Sequence, residues 1–158
     1  MKQILNSIQE QLSKISEVNY AGEDWGQLDE ERPPVKFPCA LVDMDQFQYS
    51  DMGEKTQMGE GIIQITVADI KLQGNRPTAQ MNRVSDHDRF MTVLEKVHEK
   101  LHGYGTAEFQ PLKRVSMAKI KRTDGIRSYV ISYETAYTDR VATTKYTKKT
   151  ISGININL

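Results

Sequence analysis

From Tyr129 to Tyr137, Tyr129, Ile131, Tyr133, Thr135 and Tyr137 alternate with Val130, Ser132, Glu134 and Ala136. A period of two is that of a strand with one buried face. It predicts a strand over roughly 126–138. Thr123-Asp124-Gly125 precedes it, and residues 111–121 read as the strand on the other side of that turn. Two strands around a Gly-containing turn make a β-hairpin with antiparallel pairing. The same reading applies upstream, where Ser50-Asp51-Met52-Gly53 supplies turn chemistry between strands at about 37–49 and 56–72. In the first of these, Phe47 and Tyr49 keep one face apolar while Asp43, Asp45, Gln46 and Gln48 do not. In the second, Ile63, Ile65 and Val67 share a face. The tip of this hairpin is polar and is expected to project beyond the sheet.

Helical spacing fills the gaps. Ile4, Leu5, Ile8, Leu12 and Ile15 make a one-sided amphipathic helix over Lys2 to Val18. Phe90, Leu94, Val97 and Leu101 form the stripe of a second helix, with Ser85 or Asp86 as its N-cap and Gly103 and Gly105 at its end. Residues 19–36 and 73–85 show no period and read as loops; loops this long are often functional. The order helix, hairpin, helix, hairpin predicts an α+β fold. It is an antiparallel sheet of about four strands (two β-hairpins) with two amphipathic helices packed on one face. Residues 1–138 form a single domain. Residues 139–158 are a basic arm, with Arg140, Lys145, Lys148 and Lys149 before Ile151, Ile154, Ile156 and Leu158. It is either an edge strand or an arm that orders only on a partner.

Composition narrows the class. At 158 residues, 38% hydrophobic and 27% charged, the chain fits one soluble globular domain. No apolar run approaches the about 20 residues of a membrane span, and polar residues interrupt the N-terminal apolar positions, unlike a signal peptide. The single cysteine, Cys39, excludes an internal disulfide and fits a reducing cytoplasm. In an apolar strand it reads as an inert buried thiol. The net charge of zero hides an asymmetry. Residues 1–69 hold 5 Lys/Arg against 13 Asp/Glu, and residues 70–158 hold 16 against 8. One reading is solvated faces. The other is a subunit whose acidic side meets the basic side of its neighbour, an arrangement that closes into rings when the contact is head-to-tail.

One motif carries a specific chemistry. His98-Glu99-Lys100-Leu101-His102 matches HExxH, in which two histidines on one helical face ligate zinc and the glutamate activates water. Glu108 falls near where a longer version of the pattern places a third ligand, although that version uses His or Asp. Against catalysis stand Lys100 inside the motif, Lys96 just before it, and Leu101 in the core stripe. His98 and His102 therefore read as decoys near the surface, and no cofactor or metal is expected. Lys113, Arg114, Lys119, Lys121, Arg122 and Arg127 crowd the second hairpin. Without a groove-reading motif, that pattern fits a solvated or subunit-facing surface, or sequence-independent contact with DNA.

The stretch Tyr20 to Met44 carries the most information about function. The sole tryptophan, Trp25, stands in a loop with Glu23, Asp24 and Gly26, where it reads as a contact or latch. Pro33-Pro34-Val35-Lys36-Phe37-Pro38 then forces an extended entry into Cys39-Ala40-Leu41-Val42. With Ile65-Thr66-Val67-Ala68-Asp69 and Lys121-Arg122-Thr123-Asp124-Gly125-Ile126-Arg127-Ser128-Tyr129, this stretch resembles the tail-completion (tail terminator or neck) proteins of tailed bacteriophages. The likeness is closest to those of Bacteroidetes phages and prophages, and covers most of residues 1–138. It implies a non-enzymatic assembly protein of the virion, made in the host cytoplasm. Such proteins form a ring, commonly a hexamer, which caps the tail tube and meets the head connector. A neighbouring head-completion or neck adaptor is the alternative within the resemblance; outside it, the alternative is a zinc metallopeptidase through His98-Glu99-Lys100-Leu101-His102. The partners implied are further copies of the chain, the tail tube protein, the head–tail connector and DNA in transit; no membrane is implied. Asp24, Trp25, Asp51 and Met52 are the expected interface positions. Lys121, Arg122 and Arg127 are expected at a lumen or a subunit joint.

Overall fold

The computed structural model describes residues 1–70 and 79–144, and not the side chains at 45 and 79–86. Helix α1 spans Lys2–Ser13, strand β1 Tyr20–Glu23, β2 Cys39–Gly53, β3 Thr56–Ile70, helix α2 Ala79–Leu101, β4 Lys113–Ile120 and β5 Ile126–Asp139. A one-turn 3-10 helix at Gln27–Asp29 follows β1. The described sheet has five strands in the order β1-β2-β3-β5-β4.

The fold is α+β, but the expected four-stranded antiparallel sheet is corrected to a mixed sheet. The two hairpins pair antiparallel through β3 and β5, whereas β1 runs parallel to β2, Tyr20 beside Cys39 and Glu23 beside Val42. The loop expected over 19–36 conceals this strand. Four residues are too few to show a period. Its register comes from the backbone, where Asn19 N–H donates to the Pro38 carbonyl at 2.8 Å and Asp24 N–H to the Val42 carbonyl at 2.8 Å.

Both helices cover one sheet face. Ile4, Ile8, Leu12 and Ile15 meet Phe90, Val93, Leu94, Val97 and Leu101 over Ala40, Val42, Ile63, Ile65, Val67, Ile131 and Tyr133. Glu17, in the turn after α1, forms an ion pair with Lys96 of α2. A smaller cluster on the opposite face joins Leu28 to Cys39, Leu41 and Ala68, with Val35 and Phe37 from the proline segment. Cys39 is fully buried there, and burial pushes its thiol up to about 12.

Within β2 the apolar parity changes from Ala40 and Val42 to Phe47 and Tyr49. A β-bulge between Asp43 and Gln46 inserts one residue and returns the later pair to the helix-covered face. Gly59 and Gly61 lie opposite these aromatics, and Tyr137 of β5 completes the group. Phe47 and Tyr137 pack edge-on at 5.6 Å, and the Tyr49 and Tyr137 hydroxyls share a hydrogen bond of 2.7 Å.

Three boundaries move. Ser85 and Asp86 lie inside α2 rather than at its cap, because residues 79–85, read as loop, are helix; they carry no apolar stripe to reveal it. The helix ends as expected, with Gly103 at φ +78, which a side chain would disfavour. Asp51 and Met52 belong to β2, and the reversal falls on Glu54-Lys55. β5 pairs with β3 as far as Gln57, so the hairpin does not extend far beyond the sheet.

Both Glu54 and Lys55 have positive φ, at 50° and 61°. That is the backbone of a type I′ turn, which favours Asn-Gly. Replacing the pair by Asn-Gly is expected to raise the unfolding free energy by about 1 kcal/mol, read from urea denaturation. No change would mean that the turn frays independently of the sheet. Of the arm expected over 139–158, Asp139 instead closes β5, residues 140–144 follow it outside any helix or strand, and the part from residue 145 onward lies outside the described residues.

Candidate assembly surfaces

The acidic aromatic loop is held from within. Gln27 is fully buried; its side-chain carbonyl accepts from Trp25 N–H at 2.8 Å, and its amide donates to the Glu23 carbonyl at 2.7 Å. Asp24 accepts from Gly26 N–H at 3.1 Å. These bonds fix the backbone while leaving Trp25 60% exposed at the β1 end of the sheet. Gln27 went unremarked in the sequence because a polar residue beside Gly26 reads as surface. Asp51 and Met52 stand elsewhere, near the β2–β3 turn. Asp51 caps Gly53 N–H at 3.0 Å, and Met52 is 55% exposed.

The basic hairpin separates into two kinds of cation. Arg122 reaches back to the 3-10 turn, donating to the Leu28 carbonyl and pairing with Asp29, both at 2.7 Å, and with Asp124 at 2.6 Å. The hydrogen bond to Asp124, with Asp29 also contributing, holds the guanidinium above its ordinary range. Arg127 pairs with buried Asp69 at 3.0 Å and lies over the Phe90 ring at 4.5 Å. Both arginines are therefore engaged inside the chain. Lys121 is exposed, as are Arg114 and Lys119 of β4.

The two motif histidines lie side by side at the end of α2, ring centres 4.8 Å apart. His98 Nδ1 is 3.5 Å from the Tyr133 hydroxyl, and His102 Nδ1 accepts from Arg114 N–H at 3.3 Å. Glu99 is exposed, and no three His, Cys, Asp or Glu residues gather as metal ligands among the described residues. The pair thus ties the helix end to β4 and β5.

Burial, then the charges of Arg114 and His102, lower the His98 pKa from its ordinary 6.5. A histidine depressed in the folded state contributes stability above the unfolded pKa and loses it as pH falls through the folded one. Stability should therefore decline as pH drops below about 6.5, less so in His98→Gln, as urea midpoints across that range would show. Equal declines in both proteins would contradict this.

These features define a small α+β protein with side chains and strand edges offered outward. No described helix is long and apolar enough to cross a membrane. No family model matches the chain, and no curated protein matches it. Among solved structures, its fold is similar to that of a chain described as "Virion of native gene transfer agent (GTA) particle". The match has a TM-score of 0.51 at 10% identity and covers 84% of this chain and 92% of that one. At that identity the likeness is one of fold.

Proposed function

We propose that this chain is a non-enzymatic virion assembly protein that forms a ring capping the tail tube and joining it to the head connector. The observation that carries the reading is the fold shared with a virion chain over 84% of this protein's length. The likeness of Glu23–Val42 and of the β4–β5 hairpin to tail-completion proteins points the same way. An exposed Trp25, on a loop whose backbone is held by Gln27 and flanked by two acids, suits a subunit contact better than a substrate site. Asp51 and Met52 offer a second contact toward a neighbour or the tube. Of Lys121, Arg122 and Arg127, Lys121 is the one left to face DNA or a subunit joint, since Arg122 and Arg127 hold the fold.

The test is to add the purified chain to polymerising tail tube protein and measure tube lengths by electron microscopy. Capping predicts short tubes carrying density at one end. Unchanged tubes, with the chain bound instead to DNA-filled heads, would favour the head-completion adaptor.

A further inference from the structure

The described sheet ends on two edges of opposite character. One is β1, whose end runs into Glu23, Asp24 and Trp25. The other is β4, exposed at all eight positions. Val115, Met117 and Ile120 are there 47%, 45% and 40% exposed, interspersed with Arg114 and Lys119, with Lys121 just beyond. Exposed apolar side chains grouped on one strand are the mark of an interaction surface. Three of them on β4, set among cations, fit a surface that becomes covered.

The strand order places β1 and β4 at opposite ends of the described sheet. A contact between them joins unlike surfaces of two copies, the heterologous arrangement that closes into a ring when its rotation allows. The charges are complementary, acids at β1 and the exposed Arg114 and Lys119 at β4, which sets orientation during association. Trp25 supplies the aromatic anchor, and Gln27 holds the backbone N–H of that residue, so the loop backbone needs little ordering on contact.

We propose that Glu23-Asp24-Trp25 of one copy docks on β4 of the next. Trp25 lies against Val115 and Met117, and the acids face Arg114 and Lys119. This inference rests on the ring reading and names the joint that builds it.

The experiment mixes Glu23→Cys chains with Lys119→Cys chains and adds a short bismaleimide cross-linker; native Cys39 is fully buried and stays out of the reaction. A covalent dimer in the mixture, with neither variant cross-linking alone, is expected. Trp25→Ala should weaken assembly by about 30-fold or more, with its fold intact because the side chain is exposed. Rings that persist in Trp25→Ala and Lys119→Glu, without the mixed cross-link, would overturn this joint while leaving the ring. Wild-type chains that stay monomeric alone and at tube tips would overturn both.

Discussion

Asp69→Ala is expected to cost about 3–5 kcal/mol of folding stability, among the largest losses any single side chain here should produce. The carboxylate lies near the end of β3 with only 4% of its side chain exposed. It accepts from Ile70 N–H at 2.9 Å, pairs with Arg127 at 3.0 Å and receives Arg89 at 3.3 Å. Arg127 is itself 14% exposed and stacked on Phe90, so its charge sits between β3, β5 and α2. Removing Asp69 takes the buried carboxylate from that guanidinium while its desolvation cost remains. Arg89 is 55% exposed, and Arg89→Ala should cost under about 1 kcal/mol because water replaces the lost pair. Urea denaturation of both variants at neutral pH checks the contrast. Similar small losses in the two would refute the buried-pair account.

Gly61→Ala is expected to cost about 2–3 kcal/mol, for a different reason. A Cβ built at Gly61 would stand 2.2 Å from the Gln46 carbonyl oxygen and 2.6 Å from Phe47 Cγ. The oxygen belongs to the bulged backbone of β2, which cannot swing aside as a side chain can. At Gly59 the nearest atoms are ring edges of Tyr137 and Tyr49, at 2.8 and 2.9 Å, and such rings can tilt. Gly59→Ala should therefore cost less, about 1 kcal/mol. Denaturation midpoints that rank the two variants in the opposite order would show that the bulge is softer than its geometry implies.

The hairpins and the core of both helices were legible because each buries one face, and burial writes a period into the sequence. β5 announced itself through Ile131, Tyr133 and Tyr137, and α2 through Phe90, Leu94, Val97 and Leu101. What escaped were features fixed by backbone geometry or by partners distant in sequence. β1 is short, and its parallel pairing with Cys39–Val42 is a backbone arrangement. The first turns of α2 have no stripe. Charge runs do not say which cation is engaged: in the sequence Arg122 and Arg127 are equivalent to Lys121, and only the fold puts Asp29 and Asp69 beside the first two. Trp25 was legible as an exposed aromatic, but the buried Gln27 that holds its loop was not.

The most direct test of the central claim is a native mass spectrum of the full chain, which reports copy number and bound metal together. A metal-free closed ring, sixfold on the proposed reading, is the predicted result. A monomer at every concentration, above all one carrying zinc through His98 and His102, would contradict the account.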